Sequence, residues 1–366
     1  MDLRHTAFTD IHLRLGGKLV EFAGFSMPVQ YTSIVEEHRR VRESVGVFDV
    51  SHMGEVEVWG RDALDFVQRV TVNDASRLVD GRVQYSAMCY DDGGIVDDLL
   101  VYHMGDHYML VINAANIAKD LAWMQRHARG DVRLRDRSDE ISLLAVQGPR
   151  SLAVLQKLTT ADLSAVPYYH FIRHKLAGVD MIVSRTGYTG ELGFELYFPS
   201  ARATGEQVWN AVMEAGKAEG IGPVGLGARD TLRLEMGFCL YGHDIDQSTH
   251  PLEAGLGWLT RLDKSDFVGK EAILAAKRAG LRRRLVGFTV DDKAFPRQGY
   301  QLQAGGRTVG AVTSGTFSPT LDRGIGMGYV ELPYAKAGSA IEVLVRNRPV
   351  PAKVTGLPFV SRPSQG

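Results

Sequence analysis

Two adjacent carboxylates, Asp97 and Asp98, sit in a run that is otherwise apolar or amphipathic: Ile95, Val96, Leu99, Leu100, Val101 and Tyr102. Such a run suits a strand buried on both sides of its sheet. Successive strand side chains point to opposite faces, so the two acids cannot both enter one cavity. One faces something that uses an acid, and the other is paired structurally. A carboxylate in apolar surroundings is costly unless hydrogen-bonded, and its pKa drifts upward. The pair is therefore a candidate functional site, beside the commoner alternative of a structural aspartate satisfied by backbone N–H groups.

Other chemical patterns carry less. Gly220-Ile221-Gly222-Pro223-Val224-Gly225 satisfies Gly-x-Gly-x-x-Gly. It follows a helix rather than a strand, and Pro223 removes an N–H that a phosphate would use, so a loop capping the next helix is expected. Cys89 and Cys239 have no Cys-x-x-Cys spacing, and none of the 11 histidines belongs to a His-Glu-x-x-His pattern. Neither a disulfide framework nor a metal is expected.

The elements that must position the acids come next. Asp91-Asp92-Gly93-Gly94 lies between two apolar runs and reads as the loop of a β-hairpin over 81–103, with Tyr108 to Ile112 as the neighbouring strand. Ser33-Ile34-Val35-Glu36 is a capping box for a helix ending at Gly46. Glu55-Val56-Glu57-Val58-Trp59 alternates as a strand, and Leu64, Val67 and Val70 recur at helical spacing. Asn113 and Asn116 precede a helix over 117–127. Ile141 to Val146 is an apolar strand, after which Pro149 opens a helix. Strands over 175–184 and 193–198 bracket the loop Arg185 to Glu191. Ser200 is expected to cap the helix carrying Val208, Trp209 and Val212. The helix over 226–236 carries Arg229, Asp230, Arg233 and Glu235. From Leu285 to Val360 short strands separated by Gly, Pro, Asn and Asp indicate a small β-barrel or sandwich, with the basic run Arg282-Arg283-Arg284 as a solvated linker before it.

At 366 residues the chain is expected to hold two or three domains. A hydrophobic fraction of 45% and a charged fraction of 23% are those of a globular protein. The formal net charge of −1 gives no global reason for nucleic-acid binding. No apolar run is long enough to cross a bilayer, and the first residues lack the order of a signal peptide, so a cytoplasmic protein is expected.

Five segments together resemble the aminomethyltransferase (T-protein) family of the glycine cleavage system. They are VSHMGEVEVWG at 50–60, GGIVDDLLVYH at 93–103, RTGYTGELGFEL at 185–196, GLGARDTLRLEMGFCLYGHDID at 225–246 and TSGTFSPTLDRGIGMGYV at 313–330. The match runs in order over almost the whole chain. It implies an α+β fold of three domains in a cloverleaf ring around a central tetrahydrofolate channel: 1–50 with 140–240, 51–139 with 241–280, and a C-terminal β domain over 281–366. It also implies the reaction. The aminomethyl group on the lipoyl arm of H-protein is split, ammonia leaves, and the carbon passes to the folate as 5,10-methylene-tetrahydrofolate.

Carried over residue by residue, the resemblance makes Asp98 the catalytic acid and Asp97 its structural partner, so that Asp97→Asn would leave turnover largely intact. It makes Glu195 the acceptor for the pterin edge and Arg229 a ligand-binding arginine, with Tyr85 and Tyr188 lining the pterin slot. Asn113 would add a polar contact and Arg297 would meet the glutamate tail. Some relatives place a tyrosine near the C-terminus against the ligand. This chain has none there, and Phe359 or Arg362 are the candidates to replace it. Lipoylated H-protein is the implied partner, with Arg282 to Arg284 as a docking patch. Two related readings stay open: another folate-dependent one-carbon enzyme of demethylase type, and a folate-binding factor of iron–sulfur maturation. The latter group carries a cysteine where this chain has Arg185-Thr186-Gly187-Tyr188.

Overall fold

The hairpin forms around Asp91–Gly94 as expected. Val83–Cys89 and Ile95–His103 pair antiparallel, with Ala87 opposite Asp98 and Met88 opposite Asp97. The computed structural model describes residues 3–291 and 295–361. The hairpin begins a five-stranded sheet that continues through Tyr108–Ile112, Gly54–Trp59 and Arg133–Asp136. Helices Ala63–Val70 and Ile117–His127 cover one face, where Phe66, Val67, Met88, Leu99, Leu110 and Trp123 form a dry core. The other face packs toward a second sheet through Val83, Tyr102, Met109, Leu143, Ala145 and Tyr197. With both faces covered, the apolar character of Ile95–His103 is accounted for.

The second sheet has six strands in the order Phe171–Leu176, Val179–Ser184, Gly193–Pro199, Ile141–Gln147, Gly46–Asp49 and Gly222–Pro223. Only the last pair is parallel within it. A closed six-stranded barrel follows: Arg283–Val290, Arg323–Glu331, Arg307–Ser318, Gln301–Ala304, Ala340–Val345 and Arg348–Thr355, which returns to pair with the first. Among the described residues no helix is long and apolar enough to cross a membrane.

Several local expectations are corrected. The helix capped by Ser33, whose side chain accepts from the Glu36 N–H at 3.2 Å, spans Ile34–Glu43, and Gly46 instead starts a strand. The expected strand over 175–184 is a hairpin turning at Ala177-Gly178, both at positive φ. Helix Arg202–Ala215 is preceded by Ala201 rather than capped by Ser200, and Pro149 lies ahead of the Arg150 cap of Ser151–Leu155. The basic run is no linker, because Arg283 opens a barrel strand and grips Glu253 through two hydrogen bonds of 2.9 and 3.0 Å. Alternation at Glu55 and Glu57 does not mark a solvent face either, since both are buried.

Helix Leu226–Glu235 joins these units. Its buried Arg233 donates to Asp244 at 2.7 Å and to the Ser314 hydroxyl at 2.8 Å, reaching the barrel. Glu235, also buried, accepts from Arg42 at 2.8 Å, from the Thr320 hydroxyl at 2.9 Å and from the Ser318 hydroxyl at 2.5 Å. Burial opposes its charge, but His38, Arg42 and Ser318 outweigh it and hold the carboxyl down at about 2. A Glu235→Gln variant should lose about 3–5 kcal/mol of stability at neutral pH, because Arg42 keeps its burial and loses a counter-charge. A folded pKa below the ordinary 4.5 means that the contribution is complete above that value and fades as pH falls toward about 2. Urea unfolding of both proteins at pH 7 and at pH 3 should therefore show the gap between them narrowing in acid.

Candidate active site

Strand alternation sends Asp97 toward the helix layer and Asp98 toward the second sheet, as the sequence required. A cavity of about 1130 Å³ opens on the Asp98 side, walled by residues of both sheets, the barrel and its C-terminal extension. Asp98, Glu195, Arg229, Tyr85, Tyr188 and Asn113 all line it. Arg297 does not: it is exposed, with its guanidinium 5.2 Å from the Phe295 ring. Phe359 packs onto the barrel beside Gly287, and the neighbouring Leu357 and Pro358 line the cavity in its place. Arg362 lies outside the described residues.

Asp98 shares its sheet face with Tyr85, a diagonal neighbour across the hairpin, and the phenol donates to its Oδ2 at 2.9 Å. Asn113, just past Tyr108–Ile112, donates through Nδ2 to Asp98 Oδ1 at 2.9 Å and to Asp97 Oδ1 at 2.8 Å. Its backbone N–H reaches Asp97 Oδ2 at 3.0 Å, and Asn116 Nδ2 reaches Asp97 Oδ1 at 2.8 Å. Burial, then the charge of Asp97, pushes the Asp98 carboxyl up to about 7, against the hydrogen bonds from Tyr85 and Asn113. An acid poised there can both take and return a proton near neutrality.

The second carboxylate belongs to strand Gly193–Pro199. Thr186 donates its hydroxyl to Glu195 Oε2, and Thr186 in turn contacts Ser184 at 2.9 Å. Burial raises the Glu195 pKa, while Thr186 and Arg229 work in the opposite direction. The loop carrying Thr186 runs tight against the sheet: a Cβ on Gly187 would fall 2.1 Å from Gln147 Oε1, so only glycine fits. The Arg229 guanidinium lies 4.7 Å from the centroid of the Tyr188 ring and makes no hydrogen bond among the described residues. A half-buried guanidinium facing a cavity in this way is available to a ligand. Tyr188 also stacks on Phe238 at 5.8 Å, giving the cavity an aromatic wall.

The sequence reading missed the cavity's cationic lining. Arg77, Arg82, Arg261 and Arg284 border it, and Trp258, 63% exposed, stands among them. They come from three segments, 77–82, 258–261 and the basic run 282–284, which only the fold brings together. Beneath them Lys264 donates to the backbone carbonyls of Gln68, Thr71 and Asn73 at 2.6, 2.6 and 2.7 Å, bracing the C-terminal end of helix Ala63–Val70.

Half-buried carboxylates, an aromatic wall and several arginines line one large cavity, the arrangement of a small-molecule site. Residues 8–264 match the GCVT N-terminal domain, and residues 283–361 match the glycine cleavage T-protein C-terminal barrel domain. The chain belongs to the glycine cleavage T-protein family. It is 51% identical over 359 residues to an aminomethyltransferase of Halothermothrix orenii, covering 98% of this chain and all of that one. It is 52% identical over 363 residues to an aminomethyltransferase of Chloroherpeton thalassium, covering 98% and 99%. The crystal structure of glycine cleavage system aminomethyltransferase T from Bartonella henselae superposes with a TM-score of 0.91 at 32% identity, covering 98% of each chain. The chain is accordingly an enzyme, an aminomethyltransferase by class.

Asp98→Asn should keep the fold and cut turnover by at least two orders of magnitude, the scale of a lost general acid–base. Because the folded pKa lies above the ordinary 3.8, ionising Asp98 costs stability as pH rises from that value toward about 7. The variant should therefore melt higher than the parent at pH 8 and by a smaller margin at pH 5, which calorimetry reads directly. Asp97 orients Asn113 through two accepted hydrogen bonds and accepts a third from Asn116. Asp97→Asn, expected from sequence to be nearly silent, should also lower turnover, because its new amide would face those donors.

Proposed function

We propose that the protein transfers the aminomethyl carbon from the lipoyl arm of H-protein to tetrahydrofolate, releasing ammonia and forming 5,10-methylene-tetrahydrofolate. The observation that carries this reading is the placement of two half-buried carboxylates, Asp98 and Glu195, on the wall of one cavity of about 1130 Å³, ample for a drug-sized ligand.

Each residue then has a chemical role. Glu195 accepts the paired N–H groups of the aminopyrimidinone edge, as a carboxylate can. Tyr188 and Arg229 hold the pterin ring between an aromatic face and a cation. Asp98 orients the nucleophilic nitrogen, moves its proton and stabilises the cationic carbon, and Tyr85 with Asn113 fixes its position. For the anionic tail we assign Arg77, Arg82, Arg261 and Arg284, which line the cavity, ahead of the outlying Arg297. We also propose the ring boundaries 1–50 with 140–240, 51–139 with 241–280 and 281–366, which the five-stranded sheet, the six-stranded sheet and the barrel support, and a cytoplasmic site of action. Of the basic run, Arg282 is exposed and Arg284 borders the cavity, so both stand where an arriving acidic partner would pass.

The test is an assay with aminomethylated H-protein and tetrahydrofolate that follows ammonia and methylene-tetrahydrofolate together. Both products should form in equal amounts. A folded, folate-binding preparation that makes neither would move the protein to the class of folate-binding factors. In the same assay Glu195→Gln should raise KM for the folate about tenfold or more, since an amide presents only one acceptor to a two-donor edge.

A further inference from the structure

Glu195 stands at the end of a row of hydroxyls that the proposed reaction leaves unused. Ser184, opposite Glu195 across the sheet, is buried, as are Thr186, Tyr102 and Tyr197. The Tyr197 hydroxyl lies 2.9 Å from that of Tyr102, Tyr102 lies 3.1 Å from Ser184, and Ser184 lies 2.9 Å from Thr186, which donates to Glu195 Oε2. The remaining contact in the set, Tyr102 to Thr186, is the longest at 3.4 Å. Three strands contribute. Tyr102 lies on Ile95–His103, four residues past Asp98 and on the same face, Ser184 ends Val179–Ser184, and Tyr197 follows Glu195 by two on Gly193–Pro199.

The hydrogens in this row have a direction. A hydroxyl carries one hydrogen and two acceptor lone pairs. Thr186 has both Ser184 and a carboxylate within reach, and the charged acceptor makes the stronger bond, so its hydrogen goes to Glu195. Ser184 then turns its hydrogen to Thr186, Tyr102 to Ser184 and Tyr197 to Tyr102. Four hydrogens occupy the four shortest contacts, all pointing toward one carboxylate, and bonds in series polarise one another. The row is also held in place. The rings of Tyr102 and Tyr197 cross at 71° with centroids 5.6 Å apart, Tyr102 packs 5.4 Å from Phe171, and Gln147 Nε2 holds the Thr186 carbonyl at 3.1 Å.

We propose that Thr186, Ser184 and Tyr102 are positioning residues: a hydroxyl relay that holds the Glu195 carboxylate at one angle toward the cavity and so sets the affinity for a ligand edge with paired N–H donors. The relay touches no reacting atom and acts through Glu195 alone. A ligand then meets an acceptor that is already oriented, and the cost of ordering it falls on folding rather than on binding. Because Tyr102 belongs to the strand of Asp98, the same relay fixes the spacing between the two acids of the cavity.

This inference rests on the reading of Glu195 as the pterin acceptor. It is tested on the full chain by calorimetric titration with tetrahydrofolate, and by the assay with aminomethylated H-protein. Thr186→Val, which keeps the side-chain shape and loses the hydroxyl, should weaken tetrahydrofolate binding about tenfold or more. KM for the folate should rise alike, with kcat at saturation nearly unchanged. Thr186→Ser should recover most of the loss. Tyr102→Phe, which removes a more distant member, should weaken binding about threefold. In a Glu195→Ala background neither Thr186→Val nor Tyr102→Phe should weaken binding further, because the relay has lost the group through which it acts.

Serine binding no better than valine at position 186 overturns the proposal. So does a valine loss undiminished in the Glu195→Ala background, which is the behaviour of a displaced loop. Should Thr186→Val not fold, Tyr102→Phe decides: a loss seen only when Glu195 is present supports the relay, and no loss overturns it. If the parent and Glu195→Ala bind tetrahydrofolate equally, the reading of Glu195 falls and the relay with it. A loss in Glu195→Ala with none in Thr186→Val removes the relay alone.

Discussion

The architecture hangs on two buried charges of one helix. Arg233 and Glu235 bind the barrel and the helix Ile34–Glu43, while Arg229 on the same helix faces the cavity. Ions removed from water are costly, and here each is met by several partners at once. The geometry of those partners is specific, so the helix can sit in only one way. That single placement is what aims Arg229 at the Tyr188 ring and brings the barrel edge up to the cavity wall.

The cavity brings both signs of charge together. Its acids, Asp98 and Glu195, are half-buried and held by hydroxyl and amide donors, and several arginines share the lining with them. An acid surrounded by fixed donors in a dry wall changes charge without rearranging its environment, which is the requirement for electrostatic catalysis. The strand carrying Asp98 meets this requirement because its two faces serve different purposes. One carries the acid into the cavity, and the other anchors the strand in a polar cluster under the helices.

Much of this was legible in the sequence, for reasons that differ by residue. Period-two alternation separated Asp97 from Asp98, and the Asp-Gly cluster located the hairpin, because both signals are local. The family resemblance led to Glu195, Arg229, Tyr85, Tyr188 and Asn113, which the fold does bring to one cavity. What was hidden depends on long-range covering. Glu55 and Glu57 look solvent-facing in their own strand and are buried by a neighbouring layer. Asp120 sits among the polar residues of an ordinary amphipathic helix, and only tertiary packing buries it. Arg297 has the right chemistry for an anion but the wrong address, since Pro296 beside it packs against Gly315 and Gly326 of the barrel.

Because the cavity is walled by two sheets and the barrel together, it exists only when all three have docked. Occupancy and assembly are therefore linked equilibria: a molecule that binds the complete cavity binds no partly assembled chain, and adds RT ln(1 + [L]/Kd) to the cohesion of the whole. The concentration of the small-molecule reactant would then set how much of the protein survives as well as how fast it works. Substitutions at remote seams such as Arg42 or Asp244 would mimic active-site lesions when that reactant is scarce, and would be masked when it is plentiful.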